Sequence, residues 1–172
     1  ALIRNADVRD ALAVAGQADV PATGTFDATA SVAGTLASPR GEVVVNVADG
    51  SLWQQPFDTL AARAQLSEGL IDLPVLRVAA NGARLSATAR YNYAPGELRR
   101  GVLNAQVATN QVQLEQVRAL VAERPGLGGT AAFNATVAAN IYPSNGETRV
   151  DLARLNADLA VRGLRMKGQD LG

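Results

Sequence analysis

Long runs in which apolar and polar residues alternate constrain this chain more than any other feature. From Thr25 to Leu36 one parity reads Phe26, Ala28, Ala30, Val32, Gly34 and Leu36. The other reads Thr25, Asp27, Thr29, Ser31, Ala33 and Thr35. A period of two places alternate side chains on opposite faces of an extended strand. The segment therefore predicts a strand with one apolar face. The same pattern recurs at Leu60, Ala62, Ala64 and Leu66, and at Leu85, Ala87, Ala89, Tyr91 and Tyr93. It returns at Leu103, Ala105 and Val107, and at Phe133, Ala135, Val137, Ala139 and Ile141.

Turn signals separate these runs. Ser38-Pro39-Arg40-Gly41 and Ala48-Asp49-Gly50 read as turns around a strand over Glu42–Val47. Glu68-Gly69 reads as a tight hairpin, and Asn81-Gly82 is the strongest hairpin signal in the chain. Ala94-Pro95-Gly96 and Ser144-Asn145-Gly146 mark further turns. After Pro74 the apolar parity moves from Ile71 and Leu73 to Leu76 and Val78, as a bulge would move it. A second shift falls near Ala153-Arg154, between Val150 and Leu152 on one side and Leu155, Ala157, Leu159 and Val161 on the other. Leu164 and Met166 read as the start of one more strand that meets the chain end, so the sheet is expected to continue in a longer protein.

Two segments leave the pattern. Asn110–Glu123 spaces Val112, Leu114, Val117, Leu120 and Val121 as a helix does, and Arg124-Pro125-Gly126 stops it. Asp7–Ala15, with Val8, Leu12 and Ala15, is a weaker case ended by Gly16. Each precedes Pro (Pro21, Pro125), then Gly-Thr (Gly24-Thr25, Gly129-Thr130), then a strand. Phe26-Asp-Ala-Thr is echoed 107 residues later by Phe133-Asn-Ala-Thr. Residues 1–172 thus read as a single segment of a repeating β-groove domain, with a weak internal repeat of 7–110 and a truncated second copy, 111–172.

The chain holds no Cys and no His. Thiolate nucleophiles, disulfides, zinc-finger ligation and His-based triads are excluded. With 16 basic and 16 acidic residues the net charge is zero, which is not the profile of a nucleic-acid binder. No apolar run is long enough to span a bilayer as a helix, and no signal peptide is visible at Ala1–Gly16. Asp49, Asp58, Glu68 and Asp72 are the nearest approach to a carboxylate cluster, and their neighbours are turn residues. Arg99-Arg100, Arg162, Arg165 and Lys167 read as solvated strand faces. Gly126-Leu127-Gly128-Gly129 lacks the Lys-Ser/Thr of a phosphate-binding loop. Trp53, Tyr91 and Tyr93 read as buried or at a rim. No cofactor, metal or catalytic residue is expected, and the chain reads as non-catalytic.

The fold class is all-β and mainly antiparallel, with one or two short helices. A closed β-sandwich is one reading, its apolar face being simply core. An elongated sheet with an open apolar groove is the other. Thr25–Leu36 would extend roughly 40 Å at about 3.3 Å per residue. Aromatics supply only 4% of the chain, and Ala fills many apolar positions, so material for a thick core is scarce. The groove lining would be Phe26, Ala28, Val32, Leu36, Leu60, Leu66, Leu85, Ala87, Tyr91, Leu103, Val107, Phe133, Ala135, Val137, Ile141 and Leu159.

The run Gly24-Thr25-Phe26 … Val32-Ala33-Gly34-Thr35-Leu36-Ala37-Ser38-Pro39 resembles a pattern that recurs in the AsmA-like superfamily, in particular its TamB (translocation and assembly module) branch. Leu70–Leu73, Leu76-Arg77-Val78 and Asn81–Ala87 resemble it too. The resemblance covers most of the chain through short, degenerate motifs. It implies a curled half-pipe, or β-taco, with an apolar interior, in a periplasmic protein anchored in the inner membrane of a diderm bacterium. It implies a role in outer-membrane biogenesis, with phospholipid acyl chains carried between the membranes. A scaffold that helps insert outer-membrane barrels with an Omp85-type partner is one alternative. A structural, adhesin-like repeat is another.

Overall fold

The computed structural model describes residues 1–14, 18–35, 38–144 and 147–170. Its strands are β1 (Leu2–Asp7), β2 (Ala22–Thr35), β3 (Ser38–Leu52), β4 (Gln55–Ser67), β5 (Leu70–Ala80), β6 (Ala83–Tyr93), β7 (Gly101–Thr109), β8 (Val112–Gln113), β9 (Leu127–Ser144), β10 (Glu147–Met166) and β11 (Gln169–Asp170). Helix α1 (Val8–Val14) precedes β2. A 3₁₀ turn (Leu114–Gln116) and helix α2 (Arg118–Glu123) precede β9.

Hairpins join most of the strands, and each of β2 to β7, β10 and β11 lies beside its predecessor in sequence. The order is β1 to β7, then β9, β10 and β11, with β8 also on β9, and every pairing is antiparallel. The sheet curls without closing. All the strands described belong to this one sheet, which sets aside the closed sandwich. The fold is the curled, all-β half-pipe.

Both parity shifts are bulges. The β5–β6 register slips between Leu73 and Leu76, at Pro74. Pro74 cannot donate to a ladder, and the extra residue moves the following apolar side chains back to one face. The β9–β10 register slips between Leu152 and Arg154.

Several readings need correction. Ala48-Asp49-Gly50 is not a turn: β3 runs through it, with a register shift against β2 and Asp49 at φ 49. Residues that favour a left-handed backbone serve a bulge as well as a reversal. The reversal comes at Trp53-Gln54, both at positive φ, which places Trp53 at the rim of the sheet, 68% exposed. Ser38–Gly41 opens β3, because Pro39 and Gly41 pair with Gly34 and Val32. Of Asn110–Glu123 only the last six residues are α-helical; Val112-Gln113 pair with Ala131 and Thr130 instead. Two β-branched valines and a span too short to nucleate on its own let the sheet win. Leu164 and Met166 end β10 rather than begin a new strand. Ala15, Gly16, Leu36, Asn145 and Gly146 lie outside the described residues.

The two Gly-Thr segments share one backbone device. Gly24 and Gly129 both sit at φ +135, and each faces a bulge holding a left-handed residue, Asp49 (φ 49) or Gly163 (φ 56). A Cβ on Gly24 would lie 2.9 Å from Val47 Cγ1, and one on Gly129 3.0 Å from the Gly163 carbonyl. Aligned on these glycines, Phe26 matches Ala131, two residues before Phe133.

Candidate functional site

Cross-strand register assembles the apolar residues into rows. One row crosses eight strands as Ala28, Val45, Ala62, Leu76, Ala87, Val107, Ala135 and Ala157. Toward the hairpin turns after β2 and β4, a second row reads Val32, Gly41, Leu66, Ile71, Tyr91, Leu103, Ala139 and Leu152. Toward the helices, a third reads Phe26, Val47, Leu60, Val78, Leu85 and Thr109. Phe133 joins it, since its amide donates to Thr109 Oγ1 at 3.1 Å, and Leu159 pairs with Phe133. A shorter row, Leu73, Ala89, Ala105, Val137 and Leu155, fills the space beside the first. Ile141 sits between Gly101 and Val150.

Every predicted lining residue within the described part thus stands on one face of one sheet. The middle of that face is rich in Ala and is flanked by Phe, Leu, Val, Ile and Tyr. Alanines interspersed with Val45, Leu76 and Val107, set between rows of mostly larger side chains, leave a shallow trough along the direction in which strands stack. Seven strand spacings give it a length of roughly 34 Å. These rows carry no charged side chain, and the Thr109 hydroxyl is engaged by Phe133.

Exposure distinguishes the two faces. On β6, Ala87 and Ala89 are half-buried while Ser86 and Thr88 are exposed, although the side chains are of similar size. With one layer of sheet, such a difference follows when the sheet curls toward the apolar side and crowds it. Shielding fades at the edge: Leu152 is 59% and Leu159 68% exposed on β10.

The helical connector covers one side of the trough. A cavity of about 270 Å³ is bounded by Val78, Leu85 and Phe133 from the sheet and by Val112 and Val117 from the connector. A dry apolar cavity of about 150 Å³ already admits benzene, so this one has room for a piece of hydrocarbon chain. Gln55 of β4 latches the connector. Its Nε2 donates to the Gln116 carbonyl at 3.2 Å, and its Oε1 accepts from the Arg118 amide at 3.0 Å. Glu115 adds a second tie, accepting from the Gly129 amide at 3.2 Å. Backbone N–H groups, its own and that of Gly129, hold the Glu115 carboxyl below the usual carboxylate range.

At the opposite side the Tyr91 and Tyr93 rings stack with centroids 5.8 Å apart. Their hydroxyls donate to backbone carbonyls, Tyr91 to Leu98 at 2.9 Å and Tyr93 to Ser67 at 3.4 Å. Burial, and then the neighbouring Tyr93, pushes the Tyr91 phenol up. The rings give apolar surface while the polar atoms are used by the fold.

Three other hollows, of about 350, 610 and 500 Å³, lie on the polar face. Their linings mix polar and charged side chains, such as Ser86, Thr88, Gln106 and Thr136, or Thr59, Arg77 and Arg84, with alanine and aliphatic surface. They are valleys where Ala stands between longer side chains, as Ala61 and Ala79 do beside Arg77 and Arg84. They are larger than the cavity under the connector, but each sets polar or charged side chains beside whatever would fill it, which the cavity under the connector does far less. The acidic candidates disperse into structural roles. Asp58 accepts from the Asn81 amide at 3.0 Å, Glu68 pairs with Arg40 at 2.6 Å, and Asp72 pairs with Arg90 at 3.1 Å.

The sequence reading passed over Val45, Val47, Leu76 and Val78 as lining. Val43-Val44-Val45 is a continuous apolar run that hides its own parity. Nothing in the sequence singles out Gln55. Among the described residues no helix is long and apolar enough to cross a membrane. Comparison with known protein families, with characterised proteins and with solved structures finds no match to this chain.

Proposed function

We propose that this chain is a non-catalytic segment of an AsmA-like, TamB-type groove protein that carries phospholipid acyl chains along its apolar face. The observation behind the reading is the uncharged, Ala-floored trough that continues across eight strands. A bilayer's hydrocarbon core is about 30 Å thick, so one leaflet's chain is roughly 15 Å long. The trough is about twice that. Acyl chains gain from apolar contact of any orientation, which suits a lining that is uniform along its length rather than one deep pocket. In this reading the polar face meets water in the periplasm, and lipid moves between inner and outer membrane.

Binding of a fluorescent fatty acid tests it. Ala87→Asp and Ala135→Asp place a carboxylate on the trough floor, and each is expected to weaken binding about tenfold or more. Ser86→Asp, one residue away on the other face, should leave it unchanged. Circular dichroism checks that the variants keep their sheet. Equal losses on both faces, or no binding by the unaltered chain, would overturn the proposal.

A further inference from the structure

Charge is matched along most of the polar face and unmatched at one place. Strands β3 to β7 carry five arginines: Arg40, Arg63, Arg77, Arg84 and Arg90. Arg40 pairs with Glu68, Arg63 with Glu42 and Arg90 with Asp72. Among the described residues Arg77 and Arg84 have no ion-pair partner. The carboxylates nearest in sequence are engaged elsewhere, Asp72 by Arg90 and Asp58 by the Asn81 amide. Arg77 pairs across the ladder with Ser86, and Ala79 with Arg84, so the two arginines are diagonal neighbours. Long side chains at diagonal positions reach one another.

The unmatched charge stands where the apolar cavity meets water. The cavity under the connector reaches the β5–β6 turn, where Ala80, Asn81 and Ala83 border it. Arg84 borders both this cavity and the polar-face hollow that holds Arg77. The surface inside the cavity is almost wholly apolar. Its Gln55 and Thr109 side chains are engaged within the fold. Its volume of about 270 Å³ is a little under twice that of a cavity filled by benzene, which is room for about ten carbons of one chain. At its inner end Val78 and Leu85 adjoin Leu76 and Ala87 of the trough along β5 and β6. We infer that this place seats an anionic amphiphile. Its phosphate head lies at Arg84 by the β5–β6 turn, with Arg77 beside it, and one chain passes beneath the connector into the trough. The inference rests on the reading of the trough as a path for acyl chains, and adds the charge and position of the head group. A guanidinium presents a fork of N–H donors that matches phosphate oxygens, which the apolar lining cannot supply. A lipid with two chains would lay its second in the open trough.

Dodecyl phosphate and dodecanol share a chain and differ in the head, so their binding separates the two parts of the site. Arg84→Gln should weaken dodecyl phosphate about three- to fivefold and leave dodecanol unchanged. Arg77→Gln should act in the same sense and less. Arg90→Gln, which removes a paired cation elsewhere on β6, should alter neither. Val117→Asn, in the roof of the cavity, should weaken both ligands about fivefold or more. Hydrogen exchange at the Arg118 amide shows whether the connector stays latched in each variant. Inorganic phosphate in excess should not displace dodecyl phosphate; displacement would assign the two arginines to free phosphate and overturn the inference. No loss of dodecyl phosphate binding in Arg84→Gln, or an equal loss of both ligands, would overturn it and leave the trough reading standing. Failure of the unaltered chain to bind dodecanol would overturn both.

Discussion

β6 and β10 carry the same alternation of small or aliphatic residues with polar ones, yet they behave as different materials. β6 has strands on both sides, and every residue of its apolar parity from Ala83 to Tyr93 is at least half-buried. β10 has a full-length neighbour on one side only, and Leu159 stands 68% exposed. The pattern of a strand states which face is apolar. Whether that face is covered is decided by position in the sheet, which no single strand encodes.

The largest effect should come from truncating equivalent leucines. Leu85→Ala removes a half-buried side chain beneath the connector and should cost about 2–3 kcal/mol in urea unfolding. Leu159→Ala, at a side chain 68% exposed, should cost under about 0.5 kcal/mol. Equal costs would erase the distinction between centre and edge. The glycines that lead into the two regions sharpen it next. Gly129→Ala drives a Cβ to 3.0 Å from the Gly163 carbonyl at φ +135, and a loss of about 1–3 kcal/mol is expected. Gly82→Ala, at φ +83 with open space around it, should cost about 1 kcal/mol, from the backbone conformation alone.

Smaller and more local is the latch over β6. Gln55→Ala should raise hydrogen exchange at the Arg118 amide and through α2, with about 1 kcal/mol lost from local opening, while amides of β10 keep their rates. The smallest effect is the acid response of that connector. A carboxyl held below its unfolded pKa stabilises the folded state above that unfolded value and stops doing so as pH falls through the folded one. The protection of the Gly129 amide, measured against its intrinsic exchange rate at each pH, should therefore fall on acidification in the unaltered chain. That protection should be nearly independent of pH in Glu115→Gln.

Much of the fold was legible because the apolar face is one-sided. Leu85 to Tyr93 announces its parity without interruption, and Pro74 and Ala153 mark where parity must change. Legibility failed where one local signal serves two structures. Asp49-Gly50 favours a left-handed backbone, which both a turn and a bulge require, and only the length of the neighbouring β2 decides between them. Val112 to Val121 has helical spacing, but β9 offered Val112 a partner. The Gln55 latch joins residues 61 and 63 positions apart through a side chain with no pattern of its own. The lining was found by parity, and the trough within it only by register. Ala28, Ala87 and Ala135 fall into one line because six successive strand pairings connect them.

The claim that the apolar face carries lipid is tested most directly by where lipid is captured. Photoactivatable side chains at Ala87 and Ala135 face the trough, and those at Ser86 and Thr136 face the other way. In a cell envelope the account predicts phospholipid adducts at Ala87 and Ala135 and none at Ser86 and Thr136. Equal labelling of both faces, or capture of protein strands with no lipid in the trough, would contradict it.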